Sequence, residues 1–462
     1  MTDSHDLVRF NLFQQLVEWL HCNQQDTHKG RFYLERHLPL TEDHSDKELE
    51  RLIRAHVEEH TELKQQLEFH LQLLQEVRRR GGTRQAVRDA YVNHYGGLVL
   101  DIPDWLHVYL EQRSYLVLLN RPERTRRRQA EILQEALKRT EADAKARAEI
   151  CAALRNEIGM LLISGAQYAT QELQVKALED AIVLHKLALK TFTPARYPLQ
   201  HAQTQLLLGT AYLQYGFSGQ DKMLEQAMTA FQVAQRTFTL KEHPEEWLKL
   251  QTLLGKALLK RPKGKPAQNI EQALEYQQTA LQHITSDTPS ETLALIHVHR
   301  GDCYYLRRSG ERTENLIQAK NCYRQALHIF SPSQTPEEWA TTHIRLAAIF
   351  QALPWQDEQQ HDRNLHCAIV CYEEALRTYH PDVYLVEYAS TLVSLGYTHK
   401  QRLSGDRVHN LQQASRCFRS ALHVFTSNTF PAYYRQTLLS LAESERLRKE
   451  TLQQQLSSPL RG

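Results

Sequence analysis

The chain has 462 residues, 41% hydrophobic and 24% charged, the proportions of an ordinary globular protein, which exclude a disordered, collagen-like or low-complexity chain. Its 56 Lys and Arg against 54 Asp and Glu leave a net charge of +2, so no global field marks a nucleic-acid or membrane partner. Only 17 Gly and 15 Pro leave few of the turns that sheets need, which disfavours sandwiches, barrels and doubly wound sheets and points to long helices.

The N-terminal stretch MTDSHDLVRFNLFQQLVEWL carries Asp3, His5 and Asp6 where a secretory signal needs positive charge, and its apolar residues alternate with polar ones; it reads as an amphipathic helix. Residues 1–120 form an N-terminal helical region, with breaks expected at Lys29-Gly30, Pro39, Gly81-Gly82 and Gly96-Gly97. The longest apolar stretches, such as Leu116 to Leu119, are far short of the roughly 20 residues of a membrane span. Residues 121–177 read as a connector or a degenerate helical repeat, because 126–165 contain Ala136-Leu137 and Ile158-Gly159. The seven cysteines (22, 151, 303, 322, 367, 371, 417) form an odd set with no framework spacing, and a reducing cytoplasm is the expected compartment.

From residue 178 to 449 the sequence repeats six times, before a polar tail at 450–462. LEDAIVLHKLALKTF from Leu178 aligns without gaps with segments starting at Leu224, Ile270, Leu316, Leu365 and Leu411, spaced by 46, 46, 46, 49 and 46 residues. Alanine stands three and ten residues after every start (Ala181 and Ala188 in the first, Ala414 and Ala421 in the last). Offset seven holds Phe231, Tyr323, Tyr372 and Phe418, with His185 and Gln277 as exceptions. This spacing is one apolar helix face, small where a neighbouring helix approaches and aromatic where a gap must be filled.

The second half of each unit has columns of its own. Pro198, Pro244, Pro289, Pro336 and Pro431 fall at offset 19 or 20, with Tyr384 there in the fifth unit; proline suits the first turn of a helix, where its missing N–H costs nothing. Leu208-Gly209, Leu254-Gly255, Arg300-Gly301, Leu346-Ala347, Leu395-Gly396 and Leu441-Ala442 recur at offsets 30 and 31. Glycine inside a helix costs up to about 1 kcal/mol, so its recurrence marks a close helix contact. Each unit is therefore two antiparallel helices joined by polar linkers, whose last residue (Asn269, Asn315, Asn364 or Asn410) is expected to cap the following helix.

These residues resemble the tetratricopeptide repeat (TPR), whose pattern of Leu-Gly-x-x-Tyr followed by Ala-x-x-x-Phe-x-x-Ala is matched by Leu208-Gly209-x-x-Tyr212 and Ala227-x-x-x-Phe231-x-x-Ala234. The family's usual period is about 34 residues; here about six more in each loop give 46. The lengthened form resembles TPR arrays of bacterial proteins associated with CHAT peptidases and signalling NTPases. The resemblance implies an all-α, TPR-like α-solenoid that binds protein, with such a peptidase or NTPase as a possible partner in trans. No GxxxxGK[ST] loop occurs, and no peptidase domain is expected after the array, so any enzyme would act as a separate chain.

Three groups of residues invite a chemical role. His56, Glu59 and His60 match the H-x-x-E-H pattern of inverted zinc peptidases, but they lie in a Glu-, Lys- and His-rich helical stretch without the strands of those enzymes. His361, His366, Cys367 and Cys371 cluster within eleven residues, yet Cys322, Cys371 and Cys417 share offset six beside the aromatic column, where free cysteine packs as a small hydrophobe. The basic runs at Arg78–Arg80 and Arg121–Arg128 have no interleaved aromatics for stacking on bases. No metal, cofactor or catalytic residue is assigned.

The resemblance places the second helix of each 46-residue unit on the concave surface, at offsets near 25, 29, 32 and 35. Those columns vary while the core columns repeat. They select Lys249, Lys256, His299, Asp302, Arg345, Tyr397 and Lys400 as groove contacts, biased toward an acidic or carboxylate-bearing ligand. The expected function is a non-catalytic scaffold, adaptor or regulatory subunit that holds a partner peptide or helix. The alternative is a sensor array attached to an N-terminal effector, either nucleic-acid binding or a hydrolase built on His56, Glu59 and His60.

Overall fold

The computed structural model describes residues 15–20, 27–55, 61–95, 105–106, 108–109, 122–143, 147–166, 171–217, 222–286, 288–381, 384–402 and 404–457, and among them every regular element is helical. The chain divides into two compact units, Met1–Ile102 and Pro103–Gly462.

The first unit contains α1 (Thr27–Arg36), α2 (Asp43–Ala55), α3 (Thr61–Arg79) and α4 (Arg84–Tyr95), with a 3₁₀ turn at Leu38–Thr41. Leu16, Trp19, Leu34, Leu49, Leu73, Leu74, Val87 and Tyr91 form its core, and the Trp19 indole N–H donates to the Tyr91 hydroxyl at 3.0 Å. The break expected at Lys29-Gly30 does not occur: α1 runs through Gly30, which is buried, so packing outweighs glycine's poor helix propensity. The break at Gly81-Gly82 does occur, at φ +96° and +63°, conformations that glycine adopts without penalty. Arg78 is tied to both oxygens of Asp46 at 2.7 Å and to the Thr41 carbonyl, and Arg80 to Glu76. This basic run is spent on its own unit.

The second unit is a TPR-like α-solenoid of antiparallel helix pairs. It comprises α5 (Pro122–Ala142), α6 (Ala148–Ala166), α7 (Gln171–Thr191), α8 (Pro198–Phe217), α9 (Lys222–Gln235), α10 (Pro244–Leu259), α11 (Pro266–Gln282), α12 (Ser290–Leu306), α13 (Arg312–Leu327), α14 (Pro336–Ala352), α15 (Glu358–Thr378), α16 (Leu385–Gln401), α17 (Arg407–Leu422) and α18 (Pro431–Ser457). Pro198, Pro244, Pro336 and Pro431 are first residues of their helices, as a residue without an N–H permits.

The repeated columns meet in one seam. All twelve alanines at offsets three and ten are 0% exposed, so each unit buries them completely and the alignment is a packing register. A Cβ on Gly209, Gly301 or Gly396 would stand 2.5, 2.6 or 2.8 Å from the ring of Phe231, Tyr323 or Phe418. The exceptions at offset seven fill the same slot, Gln277 against Gly255 and His185 against Gly159. The relation of Gly159 to His185 thus repeats, between α6 and α7, the relation of Gly209 to Phe231.

The linker asparagines do not cap. The helices begin several residues earlier, at Pro266, Arg312 and Arg407. Asn269, Asn315 and Asn410 instead donate backward to the linker carbonyls of Lys263, Ser309 and Ser404 at 2.8–2.9 Å. Asn364 likewise lies within α15, which is capped by Asp357 accepting from the Gln360 N–H. An asparagine side chain inside the first turn has its donor free to satisfy the linker's carbonyls, which explains the column as well as capping would. A column not expected from the sequence supports it: Arg261, Arg307 and Arg402, just past the ends of α10, α12 and α16, pair with Glu225, Glu271 and Asp362 at 2.8–2.9 Å.

The helices α6, α8, α10 and α12, which carry the Gly column, touch one another in succession, while α7, α9, α11 and α13 are spaced more widely.

His185 is buried and His343 and His399 are half-buried in this unit, and burial disfavours the charged form of each. His185 is 0% exposed, its Nδ1 lies 3.0 Å from the Asn156 side-chain oxygen, and burial lowers its pKa to about 4. Burial, with Arg402 and His409, lowers that of His399 to about 4 as well, and burial also lowers His343. A histidine whose folded pKa lies below its unfolded value favours folding in its neutral form, so its contribution is complete above about pH 6.5 and is lost as pH falls toward 4, by about 3 kcal/mol for such a shift. The melting temperature should be level between pH 7 and 8 and fall across that window. His185→Gln, which places there the residue found over Gly255, should fold and lose less on acidification; an unchanged acid profile would refute the assignment.

Candidate functional site

The seven selected residues all lie on α10, α12, α14 and α16, and the fold joins four of them. Lys256 and Asp302 share offset 32 in successive units, near enough for Asp302 to favour the lysine's charge, and Arg345 reaches Asp302 from the next unit. Arg345 Nε lies 3.0 Å from Asp302 Oδ1. The Tyr323 hydroxyl donates to the same oxygen at 2.7 Å. His299, one turn before Asp302 on α12, holds its Nδ1 3.7 Å from Asp302 Oδ2, beyond hydrogen-bond reach. That nitrogen is buried without a hydrogen-bond partner. Lys256 Nζ stands 5.6 Å from the centroid of the Phe217 ring, close enough for a cation–π attraction.

Burial alone would raise the Asp302 carboxyl, but Arg345, His299 and the Tyr323 hydroxyl together hold it below the usual carboxylate range. Lys256 is pushed below the usual lysine range, chiefly by burial and then by Arg345, with Asp302 opposing. His299 is lowered by burial first and by Lys256 and Arg345 as well, against the pull of Asp302. Burial thus disfavours the charged forms of Lys256 and His299, while Arg345 and the Tyr323 hydroxyl favour the Asp302 carboxylate.

The other three candidates are arranged differently. Tyr397 donates to or accepts from Ser440 Oγ at 2.5 Å, and Lys400 pairs with Glu443 of α18 at 2.7 Å. They form a second polar patch toward the end of the stack. Lys249 is exposed and stands on α10 two turns before Lys256.

Tyr323 belongs to this group, although its offset in the repeat marks it only as a core ring. The signal was the choice of tyrosine over phenylalanine. Tyr323 reaches Asp302, and the other tyrosine of the column, Tyr372, donates to Gln351 at 3.0 Å.

The remaining chemical candidates are mostly engaged elsewhere. His56, Glu59 and His60 lie outside the described residues. Among the described residues no group of three or more His, Cys, Asp or Glu side chains converges as metal ligands. His361 lies 4.9 Å from the Trp355 ring, and burial pushes the Cys371 thiol up to about 12 and the Cys322 and Cys417 thiols up to about 11. In the second basic run Arg126 donates to the Ser164 carbonyl and Arg127 and Arg128 pair with Glu131. No described helix is long and apolar enough to cross a membrane.

A helical-repeat solenoid with a charged cluster on the second helices of its repeats is the class that fold and site define. No protein-family model matches the sequence, and no curated protein is similar to it. Among solved structures the chain is similar at 13% identity to the apo form of RapI, over 95% of this chain and 98% of that one with a TM-score of 0.41. It is similar, also at 13%, to a Rap protein complexed with competence and sporulation factor, over 90% and 99% with a TM-score of 0.45. A circular tandem repeat protein matches over 97% and 98% at 13% identity and a TM-score of 0.21. Likenesses this distant carry nothing about the ligand of this chain.

The link from Tyr323 to Asp302 is open to direct measurement. Tyr323→Phe keeps the ring against Gly301 and removes a hydrogen bond to a charged acceptor, so urea unfolding should show a loss of about 1.5–3 kcal/mol. A loss below about 0.5 kcal/mol would mean that the hydroxyl does not hold the carboxylate.

Proposed function

We propose that this protein is a non-catalytic scaffold, adaptor or regulatory subunit that holds an acidic peptide or helix of another protein along the inner helices of the solenoid. The observation that carries the proposal is the grouping of Lys256, Arg345 and Asp302, where Arg345 meets the Asp302 carboxylate at 3.0 Å and the partly desolvated Lys256 has no ion pair of its own among the described residues. A partner carboxylate placed there replaces lost hydration and relieves the repulsion between Lys256 and Arg345, which a rim charge in bulk water could not do as effectively. Lys249 extends the positive strip along α10, and His299 and Asp302 shape its floor. Tyr397 and Lys400 offer a second contact by exchanging Ser440 and Glu443 for groups of the partner.

In this proposal the array includes α5 and α6 as a degenerate member, since Gly159 receives His185 as Gly209 receives Phe231. The long-loop resemblance makes a peptidase or signalling NTPase acting in trans the first partner class to examine, in the cytoplasm of a bacterial cell.

Reversing both Lys256 and Arg345 would crowd three carboxylates into the cluster, so the test uses milder changes. The full chain, immobilised, should capture a defined protein from host extract, and that protein, purified, should rebind. Lys249→Glu with Lys256→Met should weaken rebinding about tenfold or more while the melting temperature stays within about 3 °C. Undiminished rebinding by a folded variant would contradict the proposal.

A further inference from the structure

The second helix of each repeat meets the first helix of the next at two seats one above the other. Offset 31 receives the ring at offset seven of the next unit, as Gly301 receives Tyr323. Offset 24, two turns earlier, receives a second ring at offset 14: Ala294 clusters with Phe330, Ala340 with Tyr379 and Ala389 with Phe425. Offset 28 lies between the seats on the same helix face, and Leu206, Thr252 and Val298 there are buried.

On α18 the same face stands open. Leu439, at offset 28, is 68% exposed, the highest value among the described large apolar side chains, and Leu438 beside it is exposed as well. Ala442, at offset 31, is exposed, whereas its counterpart Ala347 is completely buried in one cluster with Tyr372, so alanine serves as a ring seat as glycine does. Offset 24 is different. Ala202, Leu248, Ala294, Ala340 and Ala389 are buried there, but the sixth unit places Arg435, which is exposed and has no ion pair among the described residues. Arg446, on the flank of the same face, is held by Glu450 at 2.7 Å.

We infer that the face of α18 formed by Arg435, Leu438, Leu439 and Ala442 is a docking seat for an amphipathic helix of another protein, one that reads Ala-x-x-x-Phe/Tyr-x-x-Ala-x-x-x-Asp/Glu. The seam inside this chain dictates the first three of those positions. A ring settles over Ala442, and small residues on either side let the backbones approach, as in the filled seats. Arg435 dictates the fourth, because its side chain occupies the place of the second ring and leaves a cation there to be met. Burial of Leu438, Leu439 and the incoming ring supplies the affinity, and the pairing with Arg435 selects the partner. A second copy of this chain does not offer such a helix: offset 14 of its six repeats holds Phe192, Phe238, Ile284, Phe330, Tyr379 and Phe425, never an acid. The seat includes none of Lys249, Lys256 and Arg345, so it stands or falls apart from the proposed inner-face site.

The probe is the sequence of α17 with its flanks, residues 406–428, as a fluorescently labelled peptide in three forms: unaltered, with Phe425→Glu and with Phe425→Lys. Anisotropy titrations against the full chain at low salt should show the Glu form binding about threefold or more tighter than the Lys form. Arg435→Glu in the protein should reverse that order. Leu439→Asp should abolish binding of all three peptides. Both substitutions fall on exposed side chains, so the variants should melt as the parent does. Sedimentation velocity of the full chain should find no association that Leu439→Asp abolishes. The inference is overturned if the Glu form does not bind, if Arg435→Glu leaves the order of the Glu and Lys forms unchanged, or if the unaltered peptide binds most tightly. It is also overturned if the chain associates with itself through Leu439, which would give this face to a second copy.

Discussion

The structure of the second unit depends on one contact made repeatedly: a ring at the middle of one helix lying against a glycine or alanine of the helix before it. Phe231 over Gly209, Tyr323 over Gly301 and Phe418 over Gly396 leave no room for a side chain. The flanking alanines are buried completely because the two backbones come this close. Helix propensity would favour a residue other than glycine at these positions. Its presence shows that contact between helices outweighs the local preference, as expected where a helix pair is stable only when stacked on its neighbours.

That contact also sets the chemistry. Because each unit repeats the last, side chains at one offset form a ladder across successive helices. Opposite charges at offset 32, Lys256 and Asp302, therefore become neighbours across 46 residues of sequence. Arg345 completes the group from the unit beyond. The seam ring takes part as well, since Tyr323 fills the Gly301 slot and its hydroxyl reaches Asp302. Packing and the placement of a buried charge thus meet in one side chain.

The repeat and its helix pairs were legible in the sequence because they follow a fixed period. What the period could not convey is how individual side chains are used. The linker asparagines look like caps, yet Asn315 and Asn410 lie inside their helices and hold the linkers. Gly30 looks like a break, yet its burial keeps it in α1. His185 and Gln277 look like lapses in the aromatic column, yet each fills the same slot. The pairing of Asp302 with Arg345 was hidden for a related reason. Offsets give position along a ladder, but the reach of each side chain decides whether Arg345 meets Asp302 or solvent.

The central claim, that the ring and the glycine are one packing unit, is tested most directly by a double-mutant cycle at Gly209 and Phe231, read by urea unfolding. Phe231→Ala should cost about 3–5 kcal/mol and Gly209→Leu about 1–3 kcal/mol. Combined, the new leucine occupies the space the ring has left, and the double variant should be more stable than the two losses predict by at least about 1 kcal/mol. Losses that add to within about 0.5 kcal/mol would mean that the two positions are independent, and the seam would then not be what holds the stack together.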